Sequence, residues 1–155
     1  MRSRYRTSPR LAAFTYRGPF AYFVTAVTRG RHPAFTDSSA VTQAIGALHT
    51  ASEKYDFHLH AYTFMPDHVH LLVSGGADSV LGDLMRLFKQ LSGYAYKRST
   101  GQPLWQISYY DRVLRREEDM EDVARYIWAN PVRAGLVSDA GSYPFAGPSP
   151  LPERW

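Results

Sequence analysis

His68-Val69-His70 follows the turn-forming run Met65-Pro66-Asp67 and opens the apolar stretch Leu71-Leu72-Val73. Side chains alternate along a strand, so both imidazoles leave one face while Val69, Leu71 and Val73 take the other and can pack on a helix. Two neutral imidazoles so spaced on a rigid strand can chelate one divalent ion. They can equally be two structural or solvent-facing histidines, and His58-Leu59-His60 has the same spacing one strand earlier. Context separates the pairs. Only His68 and His70 open a strand straight after a proline-containing turn.

A second constellation is Tyr126-Ile127-Trp128-Ala129-Asn130-Pro131. At about 100° per residue, Tyr126 and Asn130 fall about 40° apart on a helix and project from one edge of it. A phenol can act as a nucleophile, and an amide oxygen is hard enough to help hold Mg²⁺ or Mn²⁺. The competing reading makes Tyr126 one of eleven amphipathic tyrosines and Asn130 a helix terminator ahead of proline. The chain has no cysteine, which excludes disulfides, thiolate zinc sites and cysteine catalysis.

The elements that must position these groups follow from periodicity. Phe20 to Thr28 is rich in aromatic and β-branched residues and reads as a strand. Thr36-Asp37-Ser38-Ser39 offers capping side chains for a helix running to about Lys54, with Val41, Ala44, Ile45 and Leu48 on its apolar face. Phe57 to Phe64 and His68 to Ser74 form a hairpin that Gly75-Gly76 ends. Ser79 is a candidate cap for a second amphipathic helix carrying Leu81, Leu84, Leu87, Phe88 and Leu91. Trp105 to Leu114 reads as a strand interrupted at Asp111. Glu117, Glu118 and Asp119 favour a helix start, Met120, Val123, Ala124 and Ile127 give that helix its buried stripe, and Asn130-Pro131 is expected to end it. The order β-α-β-β-α-β-α predicts an α+β sandwich of ferredoxin-like (RRM-like) type, with helices packed on a central, mostly antiparallel sheet.

A length of 155 residues suits one domain, 1–155, with a basic N-terminal arm over 1–17 and an irregular tail over 138–155 rich in Pro, Gly and Ser. The formal charge is +4, and Arg2, Arg4, Arg6, Arg10, Arg17, Arg29 and Arg31 all precede the first acidic residue, Asp37. Such an arm can neutralise phosphates, with Tyr5 and Tyr16 available for stacking, or it can be a solvated tail. Arg86, Lys89, Lys97, Arg98, Arg112 and Arg115 are interleaved with Tyr94, Tyr96, Tyr109 and Tyr110, a mixture that suits backbone charge and unstacked bases together. No apolar run approaches the ~20 residues of a membrane span, and no hydrophobic stretch of signal-peptide type follows Met1 to Arg10. A cytoplasmic, nucleoid-associated protein with no membrane partner is therefore expected.

Taken together, Phe64 to Val73, Tyr126 to Val137, and more weakly Tyr109 to Arg115 and Tyr143-Pro144-Phe145, resemble the REP-associated tyrosine transposases, a branch of the HUH single-tyrosine transposase superfamily. The resemblance runs from about Tyr16 to Phe145, and only Ala146 departs from it, where a serine is common. It implies an HUH endonuclease type of fold, a divalent metal (Mg²⁺ or Mn²⁺) on His68 and His70 with Asn130 as third ligand, and Tyr126 as nucleophile. It also implies single-stranded or hairpin DNA as partner, a 5′-phosphotyrosine intermediate, and a monomer rather than a homodimer. Two other functions fit the residues alone: a metal-dependent small-molecule hydrolase indifferent to Tyr126, and a non-catalytic, domesticated nucleic-acid-binding module.

Overall fold

A computed structural model describes residues 16–152. Arg2, Arg4, Arg6 and Arg10 lie outside the described residues. The elements are β1 (Ala21–Val27), α1 (Ser38–Lys54), β2 (Phe57–Met65), β3 (His68–Gly75), α2 (Leu81–Thr100), β4 (Tyr110–Leu114), α3 (Glu117–Arg133) and β5 (Ala146–Gly147), with short 3₁₀ turns at Arg29–Arg31, Ala34–Thr36 and Ala140–Ser142. The strands lie in the order β4-β1-β3-β2-β5, and every pairing is antiparallel. This is the α+β architecture expected from the element order, with a fifth strand added.

Alternation along the strands builds two cores on opposite faces of the sheet. Tyr22, Val24 and Ala26 of β1 and Val69, Leu71 and Val73 of β3 join Leu48 of α1 and Leu84 and Phe88 of α2 on one face. Phe23 of β1, Leu72 of β3 and Ala61 of β2 meet Val123, Ala124, Ile127 and Trp128 of α3 on the other. Helix α1 starts as expected, with the Asp37 carboxylate accepting from Ser39 N–H.

Five expectations need correcting. Ser79 does not cap α2: its hydroxyl donates to the Asp56 carbonyl and accepts from Gly76 N–H, closing the loop after β3, and Val80 takes the cap position. Only Tyr110–Leu114 of the expected Trp105 to Leu114 strand is continuous, and Asp111 is buried inside it rather than breaking it. Trp105 sits apart, bridged to Thr28, with its indole N–H donated to Ser92. The tail is not irregular throughout, because Tyr143 Oη donates to Phe64 O, Phe64 N–H to Phe145 O, and Trp128 Nε1 to Gly147 O, which seats β5 against β2. At the other end Tyr16 and Arg17, assigned to the arm, already belong to the fold: Tyr16 stacks on Tyr22 and Arg17 bridges Val80.

The fifth correction matters most for the site. Helix α3 does not stop at Asn130-Pro131 but runs on to Arg133. Proline has no N–H, so Pro131 cannot give the Ile127 carbonyl its usual bond from four residues on. Thr63, wholly buried in β2, donates its hydroxyl to that carbonyl at 3.0 Å instead. The helix then ends in a Schellman arrangement, with Leu136 N–H on Pro131 O, Gly135 N–H on Val132 O, and Gly135 at φ 76.

Candidate active site

The site lies on the α3 face of the sheet. Register places Tyr110, Thr25, His70, Thr63 and Ala146 in one row across β4, β1, β3, β2 and β5. His68 stands two residues along β3 in the row of Val27 and Met65. The two imidazoles are thus on one face, as the spacing requires, with their centroids 4.7 Å apart at 74°.

Each ring is held by a neighbour that sequence reasoning did not single out. The turn before β3 is fixed first: Asp67 O accepts from the backbone N–H and the hydroxyl of Thr28, and Pro66 O from Phe35 N–H. That places the Asp67 carboxylate 2.7 Å from Nδ1 of His68, while Arg31 holds its other oxygen at 3.1 Å. Burial pushes the His68 pKa down against the opposing pull of Asp67, so the imidazole is neutral at pH 7 and donates its Nδ1 proton to the carboxylate. The donors on Asp67 outweigh its own partial burial and hold its carboxyl below the usual range. Nε2 of His68 is then the nitrogen with a lone pair to offer. His70 shows the same arrangement with a hydroxyl: Nδ1 lies 2.9 Å from Thr25 Oγ1. Burial first, then repulsion from His68 when that ring is protonated and from the Arg133 guanidinium, push His70 well below its ordinary pKa. A metal-bound histidine needs this kind of partner on its second nitrogen, which fixes both tautomer and ring direction.

Helix α3 brings the phenol to the pair. The Tyr126 ring lies 6.2 Å from the His70 ring at 62° and 5.9 Å from the Phe23 ring at 66°. The Thr63 bond to Ile127 anchors the helix at the next residue, directly above the row that contains His70. Asn130 is half-buried one turn beyond Tyr126 on the same helix. Among the described residues no three His, Cys, Asp or Glu side chains converge as a metal cluster. An amide such as Asn130, water and substrate oxygens are donors that could join the histidine pair around an ion.

The other histidine pair is spent differently. His58 and His60 lie 4.3 Å apart, His60 Nε2 is 2.6 Å from Ser74 Oγ, and a register shift falls between Leu59 and Ala61. The basic candidates divide between the two faces. Arg86, Lys89, Lys97 and Arg98 lie on α2, across the sheet from Tyr126. Arg86 pairs with Asp83 at 2.8 Å, and Lys89 Nζ donates to the carbonyls of Gln106, Ile107 and Ser108, so it fastens the segment before β4. A groove along α2 is lined by Arg86, Tyr94, Lys97, Ile107 and Tyr109. Arg112 pairs with Phe23 in register and so shares the face of the histidine site, and Arg115 is exposed just past β4.

Thr25, Thr63 and Asp67 each left a signal in the sequence. Thr25 is the sole polar residue within Ala21–Val27, and Thr63 stands between the buried Tyr62 and Phe64. A polar side chain on the helix-facing side of a buried strand needs a partner, and that partner marks what the strand faces.

Comparison with known proteins agrees with this geometry. The family model described as "Transposase IS200 like" matches residues 19–130. A Haemophilus influenzae protein assigned as a candidate REP-associated tyrosine transposase is 24% identical over 139 residues, covering 81% of this chain and 77% of its own. A REP-associated tyrosine transposase of Escherichia coli is 24% identical over 92 residues, covering 58% of this chain and 53% of its own. Among solved structures, a REP-associated tyrosine transposase bound to a REP hairpin superposes with a TM-score of 0.74 at 20% identity, over 90% of this chain and 82% of that one. A candidate transposase from Deinococcus radiodurans R1 superposes with a TM-score of 0.55 at 23% identity, over 77% of this chain and 95% of that one. At these identities the superpositions establish the fold. No helix of the described residues is long and apolar enough to cross a membrane.

Proposed function

The chain belongs to the IS200-like transposase family, and on that premise we propose that it nicks and rejoins single-stranded DNA through Tyr126, beside a Mg²⁺ or Mn²⁺ ion held by His68, His70 and Asn130. The observation that carries this reading is the meeting of Tyr126 with His70 across the α3 face, 6.2 Å between rings, where both histidines have Nδ1 held by a neighbouring side chain. The donor set suits such an ion: two neutral imidazoles and an amide one helical turn past the phenol, with phosphate and water oxygens as the further ligands a hard cation prefers. When bound, the ion supplies polarisation of the scissile phosphate and stabilises the charge that grows on it.

The chain's own residues do the rest. Tyr126 Oη attacks phosphorus, the Oη–P bond forms as the P–O3′ bond breaks, and the DNA 5′ end is left as a phosphotyrosine. The phenolic proton leaves and the freed 3′ oxygen takes one up, so the diester charge is the same before and after. Attack by a 3′-OH reverses the sequence, which lets strands be exchanged without an external energy source. Asp67 and Thr25 keep the imidazoles oriented through both steps.

A hairpin of REP type is the proposed binding partner, supported by the likeness to a transposase solved with a REP hairpin. The phenol and the histidine pair meet within one chain, which supports action in cis by a monomer. Residues 1–155 are read as one domain, working on DNA in the cytoplasm. Arg112 and Arg115 border the catalytic face, while the groove along α2 and the arm with Arg2, Arg4, Arg6 and Arg10 offer further phosphate contacts.

The test is incubation with labelled single-stranded hairpin DNA in Mg²⁺, in Mn²⁺ and in chelator, read on a denaturing gel for protein attached to a 5′ end. The reading expects a metal-dependent adduct that disappears in Tyr126→Phe and in His68→Ala. DNA binding with no adduct in any metal contradicts it and favours a non-catalytic module.

A further inference from the structure

Arg133 lies seven residues beyond Tyr126, and two turns of about 3.6 residues return it to nearly the same line on the helix surface. That alignment exists only because α3 continues through Pro131. The side chain turns back along the helix. Its Nη2 donates to the Tyr126 carbonyl oxygen at 2.7 Å, and its guanidinium carbon stands 3.9 Å from the Tyr126 ring centroid. This is well inside the range of about 6 Å over which a ring's quadrupole holds a cation. Phe23 and His70 contact the same ring at steep angles, so the phenol is bounded by groups from three elements. A guanidinium carries five N–H donors; the carbonyl takes one, and the Tyr126 side chain engages the group as well. The residue is exposed, so an incoming anion can reach the remainder.

The geometry points to Arg133 as the phosphate clamp of the transfer step: it holds the Tyr126 ring and donates to a non-bridging oxygen of the phosphate that Tyr126 attacks. This rests on the strand-transfer reading above. A phosphate placed for attack by Tyr126 Oη beside the histidine pair has Arg133 next to it, since Arg133 packs on the ring of the nucleophile, which His70 also contacts. As the Oη–P bond forms and the P–O3′ bond breaks, extra negative charge builds on the equatorial oxygens and is gone when the 3′ oxygen takes up its proton. A fixed, planar cation stabilises that passing charge in cleavage and in rejoining alike. The same contact explains why a long cationic side chain is folded back onto a tyrosine ring rather than released into water.

Single-turnover adduct formation on hairpin DNA, with rate at saturation and apparent KM measured separately, tests the clamp. Arg133→Gln and Arg133→Ala are expected to lose about 10²-fold in the saturated rate, with KM changed by less than about threefold. Arg133→Lys, which keeps the charge without the plane, is expected to recover part of the rate. Guanidinium ion at sub-denaturing concentration should restore Arg133→Ala, while sodium at equal ionic strength should not. Thermal midpoints should stay close to wild type. An unchanged saturated rate in Arg133→Gln overturns the inference. So does a lost rate that neither lysine nor guanidinium rescues, since Arg133 then serves only to staple the helix end. A wild type that forms no adduct overturns the strand-transfer reading and the clamp with it. A wild-type adduct with an unimpaired Arg133→Gln overturns the clamp alone.

Discussion

Replacing Thr63 by valine keeps the shape of the side chain and removes one hydroxyl, and the structure indicates what that hydroxyl is for. It donates at 3.0 Å to the carbonyl of Ile127, the group that Pro131 deprives of its helical N–H. In Thr63→Val this buried carbonyl loses the Thr63 donor while Pro131 still offers none, and an unsatisfied buried acceptor costs about 1–3 kcal/mol. The better strand propensity of valine offsets only a few tenths of that. A central value of about 2 kcal/mol corresponds to a fall in Tm of about 4–8 °C for a chain of this size. Pro131→Ala supplies the missing N–H, so in that background the same Thr63→Val change should cost about 0.5 kcal/mol or less. Urea denaturation of the four proteins in the cycle measures the difference, expected to be at least about 1 kcal/mol. Equal costs in both backgrounds would mean that Thr63 and Pro131 are not linked through the Ile127 carbonyl, and the account of how α3 passes its proline would be wrong. The cycle reaches beyond stability, because Ile127 adjoins Tyr126 and Thr63 is the register partner of His70. Loosening that bond should also slow adduct formation.

Asp67→Asn keeps the size of the group that orients His68 but weakens its pull on the Nδ1 proton; calorimetric titration with Mn²⁺ should show affinity lower by about 10–100-fold, and unchanged affinity would exclude an orienting role. His60 is pushed down to about 4, by burial first and by His58 second. Its unfolded value is about 6.5, so the unfolded chain binds more protons between the two, and the stability His60 contributes is present above pH 6.5 and lost as pH falls towards 4. The full shift would be worth about 3 kcal/mol, and partial exposure of the ring reduces that to about 1–2 kcal/mol. Denaturation of His60→Gln across this range should show a flatter profile than wild type, and identical slopes would contradict the assignment.

Legibility in the sequence followed the range of the interactions. The histidine pair was visible because its face depends only on strand alternation, and Val69, Leu71 and Val73 do pack on the opposite side. Tyr126 and Asn130 were visible because one helical turn relates them. Arg133 was hidden, since Pro131 reads locally as a helix end and only a hydroxyl from β2, 64 residues earlier, lets the helix continue. Ser79 was misread for a similar reason: its hydroxyl serves the loop at Asp56 and Gly76 instead of the helix that follows. The β5 strand was missed because two residues carry no periodicity, and it is seated by Trp128 of α3 and by the reach of neighbouring Tyr143 to Phe64 of β2. Lys89 looked like a phosphate contact until the three carbonyls it serves came into view. Each miss is a long-range bond overriding a local preference.

The most direct test of the central claim is to isolate the covalent protein–DNA product formed in Mn²⁺, digest it with protease and nuclease, and identify the modified residue by mass spectrometry. The account predicts a 5′-phosphonucleotide on Tyr126 and on no other tyrosine. A nucleotide on Tyr110, which shares the His70 row, or on any residue other than Tyr126, would contradict the assignment of the nucleophile.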